Sequence, residues 1–120
     1  CGACVSECTA MEVDPTFTGP AALAKAYRFV ADPRDEEANS RLGKLNENTG
    51  VWDCTRCLAC VEVCPIDIDP LSIIINMRQY LIMEKSSAPN ELNNMMSNIE
   101  NNGAPWPFNQ QDRLSWLNET

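Results

Sequence analysis

Cys54-Thr55-Arg56-Cys57-Leu58-Ala59-Cys60-Val61-Glu62-Val63-Cys64-Pro65 is the stretch on which the reading of this chain turns. Its spacing, C-x2-C-x2-C-x3-C-P, is that of a loop holding an iron–sulfur cluster through cysteine thiolates. Three cysteines at steps of three wrap one loop, so that each sulfur reaches a different iron. The fourth stands one step further on, enters the next element and, in two-cluster proteins, ligates the other cluster.

That geometry asks for a second motif, and Cys1-Gly2-Ala3-Cys4-Val5-Ser6-Glu7-Cys8 supplies most of one, C-x2-C-x3-C. A complete motif has one more cysteine three positions before Cys1, so we expect the chain to be a piece of a longer protein. Crossing the fourth cysteines gives two ligand sets. Cluster one takes Cys1, Cys4, Cys64 and the cysteine missing upstream; cluster two takes Cys8, Cys54, Cys57 and Cys60. All seven cysteines are therefore expected as metal ligands, and no residue is expected to act as a catalytic acid, base or nucleophile. Each set joins residues far apart in sequence, so cluster binding is also folding energy, and the apo chain is expected to be largely unfolded or molten.

Composition removes several other classes. The chain has 120 residues, 7 cysteines and no histidine. An odd cysteine count fits a fully paired disulfide framework badly. Without histidine, mixed Cys/His zinc sites, Rieske-type ligation, histidine haem ligation and His-based catalysis are all absent. A net charge of −8 argues against a basic surface for nucleic acid. The longest apolar stretch, Leu71 to Ile75, is too short to cross a bilayer, so no direct membrane span is expected.

Periodicity predicts an all-α chain. A short helical turn follows Cys8, and Gly19-Pro20 opens a helix to about Ala31, with Ala22, Leu23, Ala26, Tyr27, Phe29 and Val30 at helical spacing. Asp32-Pro33 is expected to end it and to cap a helix from Pro33 to Asn46, with Asp35, Glu36 and Glu37 in its first turn and Leu42 and Leu45 facing inward. Asp69 as N-cap and Pro70 at the first position predict a helix to about Glu84, with Leu71, Ile74, Ile75, Leu81 and Ile82 as its apolar set. After Ser86-Ser87-Ala88-Pro89 comes a weaker helix, about Asn90 to Asn101, then the aromatic, proline-rich Asn102 to Phe108 and one last turn from Arg113 to Leu117. This divides the chain into a helical cluster-binding domain, 1–85, and a C-terminal extension, 86–120, expected to dock a partner.

At this point the chain resembles a family. Gly19-Pro-Ala-Ala-Leu-Ala-Lys-Ala-Tyr-Arg28, Asp32-Pro-Arg-Asp35 and Arg41-Leu42, flanked by the two cysteine motifs, look like the C-terminal helical ferredoxin domain of the succinate dehydrogenase/fumarate reductase iron–sulfur subunit. The resemblance runs from Cys1 to about Leu81. It implies a [2Fe–2S] domain upstream and a non-catalytic role, carrying electrons between a flavoprotein subunit and a quinone-linked membrane subunit. It also implies a cytoplasmic location, peripheral on the inner face of the cell membrane through partner subunits.

Three departures from that family matter. Its best-known members lack a cysteine at the position of Cys57 and carry [3Fe–4S] there; with Cys57 available, two [4Fe–4S] clusters are expected, [3Fe–4S] at the second site being the alternative. After Cys8 the family has proline and then tryptophans near the quinone, where this chain has Thr9-Ala10-Met11. Thr55 stands where histidine is common. The tail, Pro105-Trp106-Pro107-Phe108 with Arg113 and Trp116, loosely resembles heterodisulfide-reductase-like iron–sulfur proteins. A second reading is therefore a relay of that type serving another flavoprotein. A third, from a different class, is a structural zinc domain.

Overall fold

The computed structural model describes residues 1–118. The all-α expectation holds: every regular element is helical, and no strand occurs among the described residues. The helices are α1 (Ala3–Ser6), α2 (Thr9–Val13), α3 (Pro20–Val30), α4 (Ala38–Leu45), α5 (Ala59–Glu62), α6 (Pro70–Met83) and α7 (Asn90–Asn102), with 3-10 turns at Val51–Asp53 and Gln110–Asn118. Two compact units form, Cys1–Ser86 and a second beginning at Ser87.

In the first unit α3 is the central element, packed on α6, α4 and α1. Leu23 of α3, Ile74 of α6 and Val51 of the 3-10 turn are almost wholly buried, and Phe17, Leu42, Met77, Leu81 and Ala10 complete the core. Burying each such aliphatic side chain contributes about 1.5–3 kcal/mol. Eight residues are a small core for a unit of this length, so a staple such as a bound metal would add substantially to its stability.

α6 starts as its sequence predicts. The Asp69 carboxylate accepts the Ser72 backbone N–H at 2.9 Å and Pro70 takes the first position, where no donor is needed. Its buried stripe is Ile74, Met77 and Leu81, while Ile75 is half exposed, so the apolar set was placed one face off at that residue. Met77 fills the position instead, since steps of three and four keep it in line with its neighbours.

α4 begins at Ala38, five residues later than its acidic start suggested. The cause is local. Asp32 Oδ1 accepts the Arg34 N–H at 3.0 Å, and Asp35 Oδ1 accepts the Glu37 N–H at 2.7 Å. These two side-chain turns occupy the donors that a helix start would present, which is how aspartate competes with helix. Asp35 then pairs with Arg41 at 2.8 Å.

Gly19 sets the entry to α3. Its φ of 82° and ψ of 163° lie in a region reserved for glycine, and a Cβ there would meet Met11 Sδ at 2.5 Å. Next to it, Thr18 donates its N–H and its hydroxyl to the Thr49 carbonyl, each at 2.8 Å, tying this entry to the approach of the second cysteine motif. In the second unit α7 ends at Gly103, whose N–H reaches Ile99 O at 2.9 Å, and the Asn102 carbonyl accepts from Arg113 and Gln110. The last turn, expected over Arg113 to Leu117, lies within the longer 3-10 segment Gln110–Asn118.

Replacing Gly19 with alanine is expected to cost about 1–3 kcal/mol, from the forbidden backbone and the clash with Met11. Denaturant unfolding of the cluster-loaded full-length protein measures it; a change below about 0.5 kcal/mol, the scatter of neutral surface sites, contradicts it.

Candidate metal centres

The two cysteine motifs fold alike. Cys1-Gly2-Ala3-Cys4 and Cys57-Leu58-Ala59-Cys60 each place a left-handed residue before a one-turn helix, Gly2 at φ 86° and Leu58 at φ 68°. Glycine takes that conformation freely, whereas a leucine there costs about 1–2 kcal/mol. The turn redirects the chain so that the cysteine before it and the cysteine inside the following helix share a side. α1 and α5 pack on each other. Cys1 therefore corresponds to Cys57, Cys4 to Cys60 and Cys8 to Cys64. Arg56 is also left-handed, at φ 60°, so the ligand loop turns twice within three residues.

The consequence is a crossed arrangement. One cavity, about 340 Å3, is lined by Cys1 and Cys4 from the first motif and Cys64 from the second, with Lys25 and Arg28 among its other lining residues. A tighter one, about 20 Å3, is lined by Cys54, Cys57 and Cys60 from the second motif and Cys8 from the first. All seven sequence-predicted cysteines are reduced in this structure, and they divide between the two cavities as the crossing rule divides them.

The donor sets fit iron–sulfur chemistry. Both linings offer thiols and no carboxylate, with basic side chains beside them, and sulfur-only ligation of an anionic cluster is what such a set provides. Among the described residues no three Cys, Asp or Glu side chains are gathered as one ion needs. The sulfurs stand around a space rather than on a point. That suits a multi-iron cluster better than a tetrahedral zinc.

Electrostatics set Cys57 and Cys60 of the tighter site apart. Burial pushes the Cys60 thiol up, and the neighbouring sulfurs of Cys54, Cys57 and Cys8 push it further. Cys57 goes the other way: the Thr9 hydroxyl, 3.3 Å from its sulfur, holds its thiol below the ordinary value, helped by the Ala59 N–H. At the first site the Ile68 N–H donates to Cys64 Sγ at 3.3 Å.

Arg78 of α6 is the residue that sequence reasoning missed. Its guanidinium donates to the carbonyls of Val51 at 2.8 Å, Trp52 at 3.0 Å and Cys54 at 2.7 Å, and lies over the Trp52 ring at 5.5 Å. Burial lowers its pKa, and the neighbouring Cys54 sulfur works against that. One side chain thus fixes the segment that delivers Cys54. The signal was present: position 78 stands four after Ile74 and three before Leu81, so a cation sits in line with the buried stripe. Trp52 is half buried against the core, its indole N–H donating to Asn46 Oδ1 at 2.7 Å.

Replacing Arg78 with methionine leaves three carbonyls without their donor. At about 1–3 kcal/mol for a polar group left unsatisfied, the expected outcome is lower stability and a fall in iron bound per chain, read by denaturant unfolding and metal analysis. Retention of both contradicts this role.

Comparison with known proteins agrees with the geometry. A family model described as a 4Fe-4S dicluster domain matches residues 1–68. The fumarate reductase iron-sulfur subunit of Escherichia coli O6:H1 is 42% identical over 74 residues, 62% of this chain and 30% of that protein. The succinate dehydrogenase iron-sulfur subunit of Coxiella burnetii is 34% identical over 88 residues, 72% of this chain and 37% of the relative. The EtfAB:quinone oxidoreductase of Syntrophomonas wolfei is 39% identical over 97 residues, 81% of this chain and 14% of the relative. The chain thus spans between 14% and 37% of the length of these relatives.

Proposed function

This chain belongs to the 4Fe–4S dicluster domain family, and we propose that it is the two-cluster part of an electron-transfer subunit in a succinate dehydrogenase/fumarate reductase type complex. Cys1, Cys4 and Cys64, with a cysteine upstream, hold the first cluster; Cys8, Cys54, Cys57 and Cys60 hold the second, as [4Fe–4S]. The observation that supports this most is the division of the seven cysteines between two cavities, each drawing on both motifs.

Bound there, iron–sulfur clusters supply one-electron transfer at potentials set by their ligands, hydrogen bonds and burial. The chain's own residues fix and tune. The left-handed turns at Gly2 and Leu58 aim the sulfurs, Arg78 clamps the Cys54 segment, and Lys25, Arg28 and Arg56 place positive charge beside anionic sites. No residue here does acid/base or nucleophilic work. Substrate chemistry belongs to a flavoprotein subunit, and a quinone-linked membrane subunit takes or gives electrons at the other end. A [2Fe–2S] domain lies upstream in this reading. Among the described residues no helix is long and apolar enough to cross a membrane; in this reading the chain is cytoplasmic and meets the inner face of the cell membrane through its partner subunits. Residues 1–85 form the cluster domain and 86–120 the docking extension.

A second reading, a heterodisulfide-reductase-like relay serving another flavoprotein, has its own support. The 97 residues matched by the EtfAB:quinone oxidoreductase exceed the 86 of the first unit, so that match reaches into the extension. An upstream [2Fe–2S] cysteine pattern in the full-length sequence decides for the first reading, and its lack for the second. Colourless protein containing zinc and no iron defeats both.

Cys57→Ser is expected to convert the second centre to a three-iron form, seen as an oxidised-state [3Fe–4S] EPR signal, while the first centre is unchanged. If both cluster signals match those of the parent, Cys57 is not a ligand.

A further inference from the structure

The dipeptide Cys8-Thr9 brings more than a sulfur to the second site. Cys8 lines the cavity from the first motif, and the next residue, at the start of α2, donates its hydroxyl to Cys57 Sγ at 3.3 Å, across 48 positions of sequence. That hydroxyl lowers the Cys57 thiol below its ordinary value more than any other neighbouring group. Cys57 is also the most accessible of the four thiols, the others being buried or half buried. An exposed thiol on a loop turned twice through left-handed conformations has the most rotamers to choose from, and a hydroxyl from another element removes that choice.

We propose that Thr9 is a positioning residue for Cys57: its hydroxyl holds the sulfur in the ligating rotamer and raises the reduction potential of the second centre. The proposal rests on the reading of Cys57 as a ligand. When one electron is added at that centre, part of the new charge falls on the ligand sulfurs, and a donor already aimed at one of them stabilises the reduced state more than the oxidised state. The proton stays on Thr9 Oγ1, so the shift requires no proton uptake.

The test is EPR-monitored potentiometry of the full-length protein in its complex, comparing the parent with Thr9→Val, Thr9→Ser and Cys57→Ser. Valine keeps the shape and removes the donor; serine keeps the donor. The expected result is that Thr9→Val lowers the equilibrium constant for reducing the second centre about fivefold, the effect of losing one ordinary hydrogen bond, with the first centre unmoved and Thr9→Ser close to the parent. Failure of Thr9→Val to load the second centre, with Thr9→Ser loading normally and the first centre intact, supports the positioning role equally. A Thr9→Val centre with the parent's potential and iron content, in a protein where Cys57→Ser does alter that centre, overturns the proposal and leaves the ligand reading standing. Should Cys57→Ser change nothing, the ligand reading falls and the role of Thr9 falls with it.

Discussion

Thiolates repel one another, and this fold brings four of them around one small space. Cys60, the most buried, is disfavoured as an anion both by burial and by the sulfurs of Cys54, Cys57 and Cys8. Held together as thiolates, these sulfurs need something cationic at their heart, which the irons of a cluster would supply. The surrounding structure reads as the means of enforcing that closeness: α1 packed on α5, α3 spanning from α1 to α6, and the Arg78 clamp on the segment before Cys54. The small hydrophobic core is consistent with a unit whose remaining cohesion comes from metal binding, as in other metal-dependent small domains.

The crossing of the fourth cysteines follows from the same geometry. In each motif a left-handed residue and a single helical turn leave two cysteines on one side and carry the last one away. Because the two motifs sit side by side, the sulfur each sends away arrives at the other's cavity. Each cavity is thus built from both ends of the first unit, and the helices between Cys8 and Cys54 hold the two motifs together rather than serving as a linker.

Much of this was legible in the residues. Cysteine spacing anticipated which sulfurs line which cavity, and Pro20, Asp69 and Pro70 marked two helix starts within a residue, because proline and a capping carboxylate act through local geometry alone. The start of α4 was misread because Asp32 and Asp35 can cap a helix or make tight side-chain turns, and the choice depends on Arg34 and Arg41 nearby. Ile75 was misjudged because a helix face is settled by what packs on it. Arg78 escaped notice because its partners, the carbonyls of Val51, Trp52 and Cys54, are backbone groups without a sequence signature. Thr9 and Cys57 were seen as separate departures from a resembled family; only their 3.3 Å contact joins them.

The claim on which the account depends is that each motif sends its last cysteine to the other's cluster. Replacing Cys8 with serine in the full-length protein and recording EPR of the oxidised and reduced states tests it most directly. The crossed arrangement predicts loss or alteration of the second centre, the one held by Cys54, Cys57 and Cys60, with the first centre's spectrum intact. Damage confined to the first centre, the one held by Cys1 and Cys4, would contradict it.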